Sequence, residues 1–342
     1  MAKGKVLIVY TGGTIGMIRD EKKGTLKPFR LNRMTKSVPS ILEMGLEIHA
    51  LELDEVIDSS NMTPEVWIEL AGIVEEHYDS FDGFVVLHGS DTMAHSASAL
   101  SFLLENLNKP VIFTGSQLPL GLPRTDAREN LITALEIAAL KNEKGDSLIP
   151  EVCIYFEDRL YRGNRTHKFN SENFDAFISP NYPVLAEAGV KIEVDTEALL
   201  PLVNGALKVH SELNSNVGVI RLFPGINLEP YVRMFLDSNA ELVVLETYGS
   251  GNGPTDKSFL NAIGTLTQNN IIVFNVTQCR QGHVEMDKYE AGSELSAMGV
   301  ISGDDITLEA AITKAMFVLG QTKDIAERKR LMKTALRGEI TT

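Results

Sequence analysis

The side chains able to attack a carbonyl sit in short turns, each placed after an apolar run. Val6–Val9 breaks at Thr11-Gly12-Gly13-Thr14, Phe84–Leu87 at His88-Gly89-Ser90-Asp91-Thr92, and Val111–Phe113 at Thr114-Gly115-Ser116-Gln117. Asp58, Ser59, Ser60 and Asn61 follow the apolar stretch Leu42–Leu53, and Lys168 closes the segment L-Y-R-G-N-R-T-H-K at 160–168. An alcohol is a weak nucleophile at neutral pH and needs an adjacent base, and a lysine in an enclosed site can act as that base through an intervening hydroxyl. Backbone N–H groups of the glycine turns would stabilise an oxyanion. The set is a hydrolase kit that uses neither histidine nor metal.

Taken singly, each turn has a plainer reading. Asp58 to Asn61 serves as helix-entry chemistry, Asp91 or Thr92 as an N-cap, and Lys168 as a solvated charge. Their common position favours chemistry, because caps alone would not gather Thr, Ser, Asp and Lys at one edge. The apolar runs alternate with helical stretches near 64–74, 94–107 and 127–140, which predicts βαβ units and a parallel sheet with these turns on its carboxyl-terminal side. In the first helix Thr63 caps, Pro64 takes the first position, Glu65 lies in the first turn, and Trp67, Leu70, Ile73 and Val74 form the apolar stripe.

Rival motifs fail on their spacing. A dinucleotide fingerprint needs glycine where Thr11 stands and an acidic residue about 20 positions on, and a phosphate-cradling loop needs Gly-Lys-Ser/Thr, which does not follow. His88 and His95 are not spaced as metal ligands and read as packing residues or as residues that support the site from behind. Neither Cys153 nor Cys279 has ligand spacing, and both lie in or beside apolar strand-like runs, as buried thiols of a reducing compartment do. No cofactor is expected.

The net charge of −14 argues against nucleic-acid and anionic-membrane partners, which require clustered Lys and Arg. The apolar run near the start is too short for a secretory segment, so a cytoplasmic location is expected. At 342 residues the chain is long for one core. Strand–helix alternation lapses from Pro180 to about Leu213 and resumes with strands at 217–222, 242–245 and 271–276 and helices near 228–236, 257–267 and 308–319. The predicted architecture is therefore α/β, with a larger parallel-sheet domain over 1–190 carrying the catalytic residues. A connection over 191–213 and a smaller α/β domain over 214–342 complete it. The polar segment between Met17 and Pro28 reads as a loop beside the first turn.

The segments T-G-G-T-I-G-M at 11–17, H-G-S-D-T-M at 88–93, T-G-S-Q at 114–117 and R-G-N-R-T-H-K at 162–168 resemble the signatures of the bacterial asparaginase family. The similarity is greatest to its cytosolic type I branch and extends to D-S-S at 58–60, Y-G-S-G-N at 248–252 and V-T-Q-C at 276–279. This resemblance implies hydrolysis of L-asparagine to L-aspartate and ammonia through an acyl-enzyme ester. Thr14 matches the nucleophile, and Ser90, Asp91 and Lys168 match the second catalytic group. Asp91 would also hold the substrate's α-ammonium, and Ser59 its α-carboxylate. Asp58, Ser60 and Ser116 fall among the substrate-lining positions. Asn252 matches an asparagine that reaches the site from a neighbouring subunit, in a homodimer or homotetramer.

The chain departs from the family pattern at three places. Threonine is usual where Ser90 stands, so the hydroxyl is kept but not the methyl that fixes its rotamer. The loop tyrosine that touches the nucleophile in many relatives has no counterpart in Gly24-Thr25-Leu26. Either Thr25 substitutes for it, or activation rests on the Ser90 and Lys168 side. Glu246 stands where some members carry an arginine that, with the cysteine matching Cys279, binds an activating asparagine. A carboxylate cannot hold that effector's carboxylate, so no asparagine activation is expected. Two other readings keep the pocket: a glutaminase-asparaginase or an amidase on larger asparagine-like groups, and a non-catalytic amino-acid sensor. One methylene of pocket length discriminates by only about 1–3 kcal/mol, too little to read from a sequence.

Overall fold

The apolar runs become strands buried on both faces. The computed structural model describes residues 4–19, 26–28, 38–288 and 290–342, and the chain divides into two compact units, Met1–His210 and Ser211–Thr342. In the first unit β1 (Lys5–Gly12), β2 (Glu47–Ile57), β3 (Gly83–Leu87), β4 (Val111–Thr114) and β5 (Val152–Phe156) form a parallel array in the order β2-β1-β3-β4-β5. Every residue of β3, β4 and β5 is buried, as a parallel sheet covered by helices on both sides requires. The covering helices are α1 (Pro64–His77), α2 (Met93–Leu103) and α3 (Ala127–Ala138). Helix α1 follows Thr63, which holds the capping position without a side-chain cap hydrogen bond, has Pro64 in its first position and buries Trp67, Leu70, Ala71 and Val74, close to the expected stripe.

The order of the strands locates the crevice. Successive strands build outward in opposite directions from β1 and β3, so the connections leaving these two strands diverge to opposite faces and open a gap at their carboxyl ends. The expected functional turns after β1 and β3 flank that gap.

The sheet is parallel-dominated but not parallel throughout. After β5 the chain turns through Glu157, at φ 61°, and returns as β6 (Arg159–Arg162), antiparallel to β5 with Cys153 opposite Arg162. The segment 160–168 therefore begins as a strand instead of a loop. The charged ends of this strand obscure it in the sequence, yet Arg162 is buried because its Nε lies 2.6 Å from Glu151 Oε2. His167–Lys168, β7, pairs with Phe177–Ile178, β8. Ala186–Ala188 and Ile192–Val194, β9 and β10, extend the main sheet beyond β6 by antiparallel pairing.

Two boundaries also shift. The strand expected from Leu42 begins at Glu47, after a 3-10 turn over Pro39–Glu43 and Gly45 at φ 71°. The helix expected to reach residue 107 stops at Leu103, because Leu104–Glu105 leaves to pair with Lys208–Val209.

The second unit holds a four-stranded parallel sheet, β11 (Val217–Arg221), β12 (Leu242–Thr247), β13 (Ile272–Thr277) and β14 (Ile301–Ser302), in that order. Helices α4 (Glu229–Asp237), α5 (Lys257–Gln268), α6 (Glu290–Ala297), α7 (Leu308–Gln321) and α8 (Ile325–Lys333) accompany it. Its core contains Val243, Leu245, Val273, Phe259, Ile263 and Phe235.

Candidate active site

Close backbone contacts draw the strand-end turns of the first unit together. Gly13 adopts φ +84°, and a Cβ placed on it would stand 2.5 Å from the Gly89 nitrogen. A Cβ on Gly89 would stand 2.5 Å from Ser59 Oγ, and one on Gly115 2.4 Å from the His88 carbonyl oxygen. Side chains at these positions would force the turns apart, so the glycines are what allow β1, β2, β3 and β4 to present their ends as one surface. Thr14 and Ser90 each lie one residue beyond the Gly13–Gly89 contact. Thr11 has a different role: buried, it donates its hydroxyl to the Leu87 carbonyl at 3.0 Å and ties β1 to β3.

Lys168 enters this surface from β7. Its Nζ donates to Ser90 Oγ at 2.8 Å and to Asp91 Oδ1 at 2.6 Å. The lysine side chain is 15% exposed and that of Asp91 68%, so the ammonium is enclosed while most of the carboxylate faces solvent. Thr92 precedes α2 as a cap in position only. Its hydroxyl instead donates to the Ser59 carbonyl at 2.7 Å and links the turns after β2 and β3.

The remaining expected residues fall at defined places on the same edge or in the other unit. Asp58 is exposed and accepts hydrogen bonds from the Ser60 N–H and hydroxyl, which lower its carboxyl below the usual range. Ser59 is buried and Ser60 exposed. Ser116 is buried, with its hydroxyl donating to the Leu118 carbonyl at 2.7 Å. Asn252 belongs to the second unit, where it pairs with Tyr248 across a tight loop. Asn275 supports that loop from within, donating to the Gly251 carbonyl at 3.1 Å and accepting the Thr247 hydroxyl at 2.6 Å. Glu246 is buried at the end of β12 with Oε1 3.2 Å from Arg221 Nη1, and burial raises its carboxyl. Gly24 and Thr25 lie outside the described residues.

Two residues at this edge were not identified from sequence as site residues. Gln117 brings its Oε1 to 3.5 Å from Ser90 Oγ and fastens its Nε2 to the Asn173 carbonyl at 2.8 Å. Its signal was its place beside Ser116 in T-G-S-Q. His88, read as a packing residue or one supporting the site from behind, is fully buried and hydrogen-bonded at both ring nitrogens, to the Gly89 carbonyl at 2.6 Å and to Ser96 Oγ at 2.9 Å.

A hydroxyl beside an enclosed ammonium and a largely exposed carboxylate, next to a glycine contact whose other side leads into Thr14, is an arrangement suited to acyl transfer. The sequence profile described as "Asparaginase, N-terminal" matches residues 5–200, and that of the "Glutaminase/Asparaginase C-terminal domain" matches residues 216–332. The chain belongs to the asparaginase family. It is 43% identical over 342 residues to "L-asparaginase 1" of Escherichia coli K12, covering 100% of this chain and 99% of that protein. Among solved structures, it is similar to L-asparaginase I from Vibrio cholerae, at 40% identity and TM-score 0.89, with both chains covered in full. The thermostable L-asparaginase from Thermococcus kodakarensis matches at 35% identity and TM-score 0.90, covering 99% of each chain.

For this asparaginase-family chain, Ser90 makes a specific expectation. Its hydroxyl is already located by Lys168, so restoring a β-methyl adds rotamer restriction and little else. Ser90→Thr is expected to match wild-type turnover or exceed it by up to about threefold in steady-state ammonia release. Abolished turnover would instead mean that the site has no room for the methyl.

Proposed function

We propose that this chain hydrolyses the side-chain amide of L-asparagine, releasing L-aspartate and ammonia, with Thr14 as the nucleophile. The observation that carries the reading is the Lys168 contact to both Ser90 and Asp91, at the strand ends that flank the crevice where Thr14 stands. Family membership supplies the reaction class.

In the first step Lys168 acts as the neutral amine: Thr14 Oγ bonds to the amide carbon while its proton passes through the Ser90 hydroxyl to Lys168 Nζ, which becomes the ammonium. The carbon–nitrogen bond then breaks as Lys168 gives that proton to the departing nitrogen, which leaves as ammonia and restores the neutral amine. Water, activated by the same Ser90–Lys168 pair, attacks the resulting ester, releases aspartate and returns the proton to Thr14. Asp91 engages Lys168 through Oδ1 and offers its exposed remainder to the α-ammonium. Asp58, Ser59, Ser60 and Ser116 line the substrate's other end, and Asn252 is assigned to a site completed by a second copy, in a homodimer or homotetramer. We place the protein in the cytoplasm, in keeping with two thiols outside any disulfide: Cys153 is buried as expected, whereas Cys279, expected to be buried, is exposed. Among the described residues no helix is long and apolar enough to cross a membrane.

Ammonia release from L-asparagine and L-glutamine by the purified protein tests this reading. Asparagine is expected to be preferred by kcat/KM at least about tenfold, the discrimination that one methylene affords. Equal rates would make the protein a glutaminase-asparaginase. Tight aspartate binding with no ammonia from either amide would make it a sensor.

A further inference from the structure

His88 is joined to its surroundings by a hydrogen-bond chain whose direction is fixed at both ends. Trp67, on α1, donates its indole N–H to Ser96 Oγ at 2.9 Å, and an indole nitrogen can only donate. At the other end the Gly89 carbonyl can only accept, so Nδ1 of His88 carries the proton across the 2.6 Å contact. The neutral ring then has a bare Nε2, which accepts the Ser96 hydroxyl at 2.9 Å. Each proton in the run Trp67, Ser96, His88, Gly89 is thus assigned from its partners. Burial pulls the imidazole down to about 4, so the ring remains neutral near pH 7. The ring also packs edge-on against Phe113, with centroids 5.6 Å apart.

The held atom is what matters. A peptide is planar and trans, so fixing the Gly89 carbonyl toward the buried ring turns the Ser90 N–H away from it. The same plane sets the path of the chain into Ser90 and Asp91, the two residues that Lys168 touches. Gly89 is also the point where Gly13 and Ser59 make their closest approach, so a rotation of this peptide would disturb three turns together.

We propose that His88 is a positioning residue: through its Nδ1–H it locks the Gly89–Ser90 peptide and so holds Ser90 and Asp91 in register with Lys168 and Thr14. It does not touch substrate. The activity readout rests on the hydrolysis proposed above, and the ring's protonation does not.

Two isosteric fragments of the imidazole separate positioning from packing. His88→Asn keeps an N–H at the Nδ1 position and loses the Nε2 end. His88→Gln keeps a polar group at the Nε2 end and leaves the Gly89 carbonyl without its donor. Both lose the ring's contact with Phe113. Positioning predicts kcat within about threefold of wild type for His88→Asn and at least about thirtyfold lower for His88→Gln, with KM moving less than kcat in both. Equal losses in the two variants, or wild-type kcat in His88→Gln, would overturn the proposal.

If His88→Gln does not fold, Ser96→Ala removes the partner that orients the ring while leaving the Gly89 bond possible. A fall in kcat of about three- to tenfold at unchanged KM supports the proposal, and unchanged kcat opposes it. Long-range ¹⁵N spectra of histidine-labelled wild type provide a readout that needs no turnover. The resonances of His88 must show Nδ1 protonated and Nε2 bare from about pH 6 to pH 9, and the opposite tautomer would sink the idea. Wild type that releases no ammonia but shows the Nδ1–H tautomer would refute the asparaginase reading alone. In that case aspartate affinity in His88→Asn and His88→Gln replaces kcat as the comparison, with a loss confined to His88→Gln expected and equal losses decisive against positioning.

Discussion

Thr14→Ala is expected to lower ammonia release from asparagine by at least about 10³-fold, because the substitution removes the oxygen proposed to form the acyl bond. Thr14 opens a short 3-10 turn at the end of β1 and is partly buried. Alanine is tolerated in such a turn, and loss of a partly exposed hydroxyl changes stability by only about 0.5 kcal/mol. The expected result is therefore a folded, inactive protein with an unchanged melting midpoint that still binds aspartate. Thr14→Ser keeps the nucleophilic oxygen but not the methyl that restricts its rotamer, and should retain turnover within about one order of magnitude. Activity in Thr14→Ala above about one tenth of wild type would move the nucleophile elsewhere, with Ser90 the first alternative.

Lys168→Met comes second, with an expected fall in kcat of about 10²- to 10³-fold, the range spanned by a positioned proton-transfer group. Two effects compete in such a variant: loss of the proposed base, and loss of the contact to Asp91 that helps to hold the site. Magnitudes decide between them. Asp91 is 68% exposed, and an ion pair with so solvated a partner contributes only about 0–1 kcal/mol to stability. Unfolding therefore cannot account for a loss of 10²-fold or more, and the deficit must appear in the chemistry. Lys168→Arg is the discriminating partner variant. It keeps a cation beside Asp91 and cannot serve as a base, so it should be as inactive as Lys168→Met. Wild-type turnover in Lys168→Arg would reduce Lys168 to an electrostatic support.

Much of the site-bearing architecture was legible because it rests on local chemistry. Val6 to Tyr10 and Phe84 to Leu87 are continuous apolar runs ending at glycines, which is how a strand covered on both faces and feeding a tight turn must be written. Ser90, Asp91 and Lys168 were recognised by type and by motif, and the structure brings them within hydrogen-bond distance.

What escaped depends on partners distant in the chain. Nothing local in the sequence marks Arg162 as buried; Glu151 and the stacked ring of Tyr182, its centroid 4.2 Å from the guanidinium carbon, remove it from water, and β6 is hidden with it. Leu42 looks like the start of a strand but is 73% exposed within a 3-10 turn, and β2, at the margin of the sheet, begins only at Glu47 and mixes polar with apolar side chains. His88 offered no periodicity or spacing to mark it. Its hydrogen-bond chain emerges only when Ser96 is seen to reach the ring and Trp67, from a different helix, to reach Ser96.

The glycine contacts among the turns bear on how damage elsewhere would be felt. Gly13 meets Gly89, Gly89 meets Ser59, and Lys168 reaches Ser90 across 78 residues of chain, so the site exists only when several strands pair in register at once. A slip of one residue in any of them would send the side chains of that strand to the opposite face. Partial competence is thus excluded by construction: a molecule has the whole constellation or none of it. Weakening substitutions in the sheet core would then thin the population of working molecules and leave the survivors with unaltered substrate affinity. Loss of function from such changes would register as a smaller titre of active sites, and the Michaelis constant would be blind to it.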